Sequence, residues 1–414
     1  MWGIGADFQR AVMKKLGWQS QVLASFTGFA CTAFWASFTP ALAQVPVASR
    51  IAADAAPGWT AAQVGKLRHW VEAAPDDALP RPRSTELDAA IVGGDAASLD
   101  RAATDLALRL ASMHLLGHAT TAERAGWRIE DPDRAINLRT RLDAALASDD
   151  LDGYFAGLRP RHPDYAMLRR AYASETDAAR RATLGRNMER WRWMPHAPDD
   201  GYILVNAAAF EAALWRNGQE TRRWRVIVGK PSTPTPVFSA TVSAVTLNPW
   251  WNVPASIVRE SVGALVRRNP ALARKRGYVW SGNSIRQRPG PGNSLGEMKL
   301  EMPNPYTVYM HDTPSKNLFA RDVRAFSHGC IRVDDALGFA ATLLEGVRTR
   351  AQIDAIVATR RTTAVPLPAR LPVYITYFTA GTRADGTLAF YPDIYARDNR
   401  IGFELPAAAA CTAN

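Results

Sequence analysis

The stretch YTVYMHDTPSKNLFARDVRAFSHGCIRV, residues 306–333, gathers two of the chain's seven histidines around one cysteine. His311 precedes Cys330 by nineteen positions and His328 precedes it by two. A thiol is a weak nucleophile until it loses its proton, and at an ordinary pKa of about 8.5 only a few per cent is thiolate at neutral pH. A histidine within hydrogen-bond reach takes that proton and later returns it to a leaving amine. His328 is near in sequence, but its reach across so tight a turn is short. Residues 306–311 alternate as a strand does, with one of Tyr309 and Met310 turned inward. His311 stands at the end of that strand, where a nineteen-residue excursion can return beside it, so His311 is the expected base. Gly329 lets the backbone approach closely, and the Gly329 and Cys330 amides can then face a developing oxyanion. Arg332 can hold a carboxylate by paired hydrogen bonds or form a salt bridge with Asp334. Together these residues predict acyl transfer through a cysteine.

Downstream, Asp334 or Asp335 caps a predicted helix through Leu337, Ala341 and Leu344 that stops at Gly346. Another helix is expected over 351–359, a strand over 371–378, and a turn at Asp385-Gly386 before a returning strand over 387–391. Upstream, residues 202–206, 210–215, 224–228 and 237–247 are β-rich, with Trp224, Val226 and Val228 in phase. Between NPWWNVP (248–254) and RQRPGPGNSLG (286–296) lies a short, basic, helical cap, residues 254–285. Trp250 and Trp251 either line a cleft or fill a core. Before residue 190 the pattern is helical: Leu99, Ala103, Leu106, Leu110 and Met113 recur at four and three. Further helices are expected over 133–147, over 151–158, from an Asp164 cap through Tyr172, and through Leu184, Met188 and Trp191. Residues 45–94 are weakly patterned, with loops near 74–83. His114, His118 and His162 have no metal-site spacing and read as surface or satisfied core side chains. The fold class is α+β: a helical domain over 44–189, a β-rich domain over 190–405 and a tail over 406–414.

At 414 residues the chain exceeds one typical core. A hydrophobic content of 47% with 21% charged residues excludes disorder of the whole chain and a polytopic membrane protein. Residues 1–43 read as a signal peptide. Arg10, Lys14 and Lys15 precede an uncharged run to Ser49, and Ala41-Leu42-Ala43 predicts cleavage ahead of Gln44. The alternative is an uncleaved inner-membrane tether, since the apolar run approaches the roughly 20 residues that span a bilayer. Removing residues 1–43 takes away three bases and one acid and lowers the net charge from +11 to +9. That balance suits an acidic partner, and for an exported chain a wall polymer with free carboxylates fits better than nucleic acid. Cys31 would leave with the signal, and Cys411 lies in a small-residue tail. No disulfide framework is visible, and a Cys330–Cys411 bridge would block the thiol.

HDTPSK (311–316) followed by RAFSHGCIRV (324–333) resembles the signature of the YkuD-type L,D-transpeptidases, and the longer pattern resembles their YcbB-like branch. RWRWMP (190–195), YILVN (202–206), VGKPSTPTPVFS (228–239), NPWWNVPASI (248–257), RQRPGPGNSLG and DIYARD (393–398) extend the likeness over about 190–398. The helical segment over 99–172 matches more loosely. The resemblance implies a helical scaffold domain before a β-sandwich catalytic domain with a helix after the cysteine, acting in the periplasm without metal or cofactor. Cys330 would be the nucleophile and His311 the base and acid, steered by the Asp312 carbonyl. His328 and Gly329 would shape the oxyanion turn, and Ser327, Arg332, Tyr309, Arg286 and Trp251 would meet the substrate. The implied substrates are peptidoglycan stem peptides, as donor and acceptor, and the usual product is a 3→3 cross-link. Two departures bear on the donor: no peptidoglycan-binding module fits between Tyr172 and Arg190, and the cap is short. A 1→3 cross-link is therefore an alternative. Hydrolysis by an L,D-carboxypeptidase or endopeptidase, and a wall-binding scaffold with an idle cysteine, are the others.

Overall fold

Seven helices open the described chain: α1 (Ala61–Ala73), α2 (Thr85–Gly93), α3 (Ala96–Leu116), α4 (Leu138–Ala147), α5 (Leu151–Gly157), α6 (Pro163–Ser174) and α7 (Ala178–Trp191). The structure is a computed structural model that describes residues 58–196 and 200–403. The expected signal segment, Cys31, the tail and Cys411 lie outside those residues. Among the described residues no helix is long and apolar enough to cross a membrane.

Helices α1 and α2 occupy part of the stretch read as weakly patterned. The missed signal is a capping box: the Thr60 side chain accepts from Gln63 N, and the Gln63 side chain accepts from Thr60 N. The stripe of α3 is as expected, with Ala103, Leu106 and Leu110 buried. Helix α4 starts later than residue 133, because Pro132 opens a separate turn (Pro132–Ala135) and Asn137 then caps the helix. For α6 the cap is His162 and not Asp164: His162 Nδ1 accepts from Asp164 N at 3.2 Å, and Pro163 fills the first helical position.

Burial divides these helices differently from the expected boundary at residue 189. Leu67, Leu87, Leu106, Leu110, Leu142 and Phe155 form one core that ends at Leu158. Tyr165, Leu168 and Tyr172 of α6 and Leu184, Met188 and Trp191 of α7 belong to the core of the β-rich region. A buried polar network ties the two together. Arg192, fully buried, donates to Tyr165 Oη (2.8 Å) and to the Asp77 carbonyl (2.5 Å). Glu189 accepts from the backbone N–H groups of His118 and Ala119 and from Trp193 Nε1. Burial pushes the Glu189 carboxyl up, but its bond and charge contact with His118, Arg192 and the Ala119 amide hold it down to about 2.

The strands are β1 (Trp127–Arg128), β2 (Gly201–Asn206), β3 (Glu211–Arg216), β4 (Gln219–Gly229), β5 (Val237–Leu247), β6 (Trp251–Asn252), β7 (Tyr278–Ser281), β8 (Ser284–Gln287), β9 (Met298–Glu301), β10 (Met310–His311), β11 (Ala325–Ser327), β12 (Ile331–Val333), β13 (Thr363–Thr376), β14 (Ala380–Thr382) and β15 (Leu388–Phe390), the last two forming a small hairpin. Ten of them form one sheet in the order β1-β5-β13-β2-β3-β4-β12-β10-β9, with β11 beside β4. A further pairing of β5 with β9 closes that sheet on itself, so the two faces expected to pack as a sandwich belong to one curled sheet. Its interior takes Val226, Val228, Val245, Leu300, Met310, Ile331 and Val333. The expected helix after the cysteine is Ala336–Leu343: Asp335 caps it through Gly338 N, and Phe339 packs edge-on against Trp224.

The cap is a three-stranded sheet, β6-β8-β7, with helical turns between Ala255 and Lys275. The helical part expected in the cap (254–285) is not continuous: a π-helical segment (Val258–Val262) interrupts it, and it breaks again at Asn269, which caps the next helix ahead of Pro270.

Candidate active site

Strand β10 lies parallel to β12 with His311 opposite Arg332, and antiparallel to β9 with His311 opposite Lys299. Opposed residues in a sheet share a face, so Lys299, His311 and Arg332 form a row across three strands. Tyr309 and Cys330, each just ahead of its strand, lie on the same side: Tyr309 packs against the His311 ring and Lys299, and the thiol senses Arg332 and Lys299. Met310, Ile331 and Val333 fill the core on the other face and fix the register. The Tyr309 carbonyl accepts from Ile331 N at 3.0 Å, which holds the thiol segment against the histidine segment.

The chain before His311 is less extended than expected. The Asn304 side chain donates to the carbonyls of Met302 (2.7 Å) and Val308 (2.6 Å) and accepts from Tyr306 N and Val308 N. That staple turns the backbone through Thr307, at φ +56°, and leaves only Met310–His311 as strand. It also brings the Thr307 carbonyl to 3.9 Å from Cys330 Sγ.

His311 is buried, and its Nδ1 lies 2.5 Å from the Asp312 carbonyl. A carbonyl only accepts, so Nδ1 carries the ring proton and Nε2 is the basic nitrogen. Burial, together with Arg332 and Lys299, depresses His311 to about 3 against the pull of the Asp312 and Leu295 carbonyls. The ring is therefore neutral at physiological pH. The Asp312 carboxylate is fixed by Lys316 and by Glu297 N (2.9 Å). Gly296 is obligatory beside it, because a Cβ there would fall 2.3 Å from Asp312 Oδ2. Burial raises the Cys330 thiol pKa, opposed by the Tyr309 backbone, Arg332 and Lys299. The resting pair is neutral thiol and neutral imidazole. Cys330 is a free cysteine.

The SHGC turn is built by Ser327, which is buried. Its Oγ donates to the Cys330 carbonyl (2.5 Å) and accepts from Gly329 N (3.1 Å). This corrects the expected oxyanion donors, since the Gly329 amide is already engaged. The Cys330 amide has no acceptor among the described residues. Gly329 sits at φ +112°, which only glycine adopts readily. The KPSTPT loop clamps the turn from outside. Lys230 N and Thr233 Oγ1 donate to the Ser327 carbonyl, and Thr235 Oγ1 donates to the Gly329 carbonyl at 2.9 Å. Tyr395 Oη donates to the Gly229 carbonyl (2.6 Å), and Arg397 Nη2 to the Thr235 carbonyl (3.0 Å). The hydroxyls of Thr233 and Thr235 in VGKPSTPTPVFS and of Tyr395 in DIYARD make three of these contacts.

The remaining expected site residues divide. Asp334 pairs with Arg225 (2.6 Å), not with Arg332. Arg332 is left on the site face with no acceptor among the described residues. Tyr309 packs 6.1 Å from the His311 ring, and its face meets Lys299. His328 points to the cap: Nε2 lies 2.8 Å from Glu260 Oε2, and Lys230 lies 3.5 Å from the same carboxylate. Arg286 stacks on Trp250 within the cap, with its Nε unpartnered. Trp251 is 8% exposed and forms the cap's small core with Val253, Val262, Ile285 and Leu295, so it is a packing residue and not an open cleft wall.

A half-buried thiol, a neutral imidazole, an unengaged amide and two cations thus gather on one side of the sheet. Residues 200–357 match the family model of the L,D-transpeptidase catalytic domain, YkuD, and residues 52–171 match that of a scaffold domain. The chain thus carries a YkuD L,D-transpeptidase catalytic domain behind a scaffold domain. It is 32% identical over 239 residues to a Haemophilus influenzae protein named "Putative L,D-transpeptidase", covering 53% of this chain and 48% of that one. The chain spans about half the length of that relative. Solved structures that overlap include an L,D-transpeptidase from Mycobacterium smegmatis (TM-score 0.26, 15% identity, 43% of this chain and 58% of that one). Another is L,D-transpeptidase 3 from Mycobacterium tuberculosis (TM-score 0.24, 17% identity, 43% and 61%). These overlaps are too slight to place any residue.

Proposed function

We propose that this protein is a peptidoglycan L,D-transpeptidase of the periplasm that joins stem peptides through a Cys330 acyl-enzyme. The observation that carries the reading is the row Lys299–His311–Arg332 beside Cys330, in which Arg332 lacks an acceptor among the described residues. Two cations suit a substrate with free carboxylates and keep the imidazole unprotonated.

In the proposed reaction Cys330 Sγ gives its proton to His311 Nε2 and attacks the carbonyl on the L-centre of diaminopimelate in a tetrapeptide donor. The Cys330 amide meets the oxyanion. The bond to terminal D-Ala breaks, and His311 returns the proton to the departing amine. The side-chain amine of a second stem then attacks the thioester, loses its proton through His311 and restores the thiol. The product is a 3→3 cross-link.

The test is mass spectrometry of muropeptides after purified protein acts on sacculi. Cys330-dependent 3→3 dimers support this reading, while 1→3 dimers would reassign the donor bond. Shortened monomers alone would make the protein a hydrolase, and identical muropeptides from wild type and Cys330→Ala would remove the catalytic role.

A further inference from the structure

Away from the thiol, a cavity of about 50 Å³ lies where residues 123–127 meet α7 and the segment after Tyr395; Glu123, Arg124, Arg190, Tyr377, Arg397 and Arg400 line it. Four guanidinium groups on so small a volume require counter-charge, and the described residues supply only part of it. Arg190, 2% exposed, uses Nη1 on Asp398 Oδ1 at 2.7 Å, but its Nη2 has no acceptor. Arg397 donates Nη2 to the Thr235 carbonyl and stacks on Tyr377 and Tyr395, but its Nη1 has no acceptor. Arg124 donates to the Leu116 carbonyl and lies 3.9 Å from Glu189, but its Nε has no acceptor. Arg400 has no side-chain partner among the described residues. The carboxylates at the cavity are committed: Asp398 also accepts from Thr379 Oγ1, and Glu123 accepts from the amides of Thr120 and Gly402.

We infer that this cavity is a binding site for one small oxyanion. Buried guanidinium nitrogens without acceptors carry a desolvation cost, and every unpartnered atom found here is a donor. The forks favour a ligand offering two oxygens. The volume exceeds what a single water needs and admits an ion the size of phosphate or a carboxylate group. The site also reaches the active centre. Arg397 holds the Thr235 carbonyl, and Thr235 Oγ1 holds the Gly329 carbonyl, so an ion that orders Arg397 steadies the loop clamping the catalytic turn.

The test is calorimetric titration of the whole protein with inorganic phosphate, and separately with acetate, at constant ionic strength set by chloride. One saturable site is expected for phosphate or acetate, with a melting temperature about 2–4 °C higher at saturation. Which of the two binds tells an inorganic ion from a carboxylate source. In Arg124→Gln and in Arg400→Gln, each first shown to melt as wild type does without added anion, affinity should fall at least tenfold. No binding of either anion, equal binding by both variants, or the same shift with chloride alone overturns the inference.

Discussion

His311 and Arg332 face each other across adjacent parallel strands, and the cation acts on both the His311 imidazole and the Cys330 thiol. Burial, with Arg332, holds the imidazole near 3, while Arg332 works against the burial that raises the Cys330 thiol. Arg332→Gln should therefore shift His311 upward and Cys330 further upward. Alkylation of wild-type Cys330 by neutral iodoacetamide should still be accelerating with pH above the usual thiol range. In Arg332→Gln the whole profile should move to higher pH and be slower at neutral pH. A profile that stays in place would mean the guanidinium does not sense the thiol.

The two histidines should separate on substitution. His311→Ala removes the proton acceptor and should lower turnover by about 10²- to 10⁴-fold. His328→Ala breaks only the contact to Glu260 in the cap. It should leave kcat close to wild type and raise KM for the stem peptide. Steady-state kinetics on a purified stem donor and acceptor decide the matter, and equal losses in kcat would return His328 to the chemistry.

Thr235 bonds two buried backbone groups, the Gly229 amide and the Gly329 carbonyl. Thr235→Val keeps the shape and strands both, at about 1–3 kcal/mol each. A lower melting temperature is expected, together with slower Cys330 acylation. Thr235→Ser should restore both, and a serine variant as impaired as valine would show that the methyl group matters more than the hydroxyl.

Acid sensitivity should trace in part to His114. Both its ring nitrogens are buried without partners beside Trp70 and Phe155, and burial holds its pKa at about 3 against an ordinary 6.5. Between pH 6.5 and 3 the unfolded chain takes up a proton that the folded one refuses, so stability falls as pH falls through that window. His114→Phe should be close to neutral at pH 7 and should flatten the decline below pH 6. His162 and His311 are depressed in the same sense, so some decline will persist. Thermal melts at pH 7 and pH 4.5 compare the two proteins.

Much of the site was legible in sequence because its chemistry is local. His311 and Cys330 follow from residue types and spacing within thirty positions, the Asp312 carbonyl follows only from the family resemblance, and the glycine of the SHGC turn requires its positive φ. What was not legible depends on partners far along the chain. The Gly329 amide looked free until Ser327 folded back onto it, and Arg332 was not seen to lose Asp334 to Arg225, over a hundred residues away. Trp251 and Arg286 sit in a segment whose aromatics serve a cap core as readily as a cleft. Helix α1 escaped although Val64, Leu67, Trp70 and Val71 recur at helical spacing, because its start is marked by the less obvious pair Thr60 and Gln63. The split between cores near Leu158 was hidden because α6 and α7 carry the same amphipathic pattern as the helices before them.

The pairing of β5 with β9 closes the sheet on itself, but not along every strand: β13 pairs with β2 only over Val373–Thr376, so one side of residues 363–372 has no strand beside it among the described residues. Close to the thiol the sheet is complete, because β10 lies between β12 and β9. An extended peptide therefore cannot add itself as a strand beside His311. In the proposed reaction the choice of bond then falls to side chains, a few substitutable positions around Cys330 and under the cap.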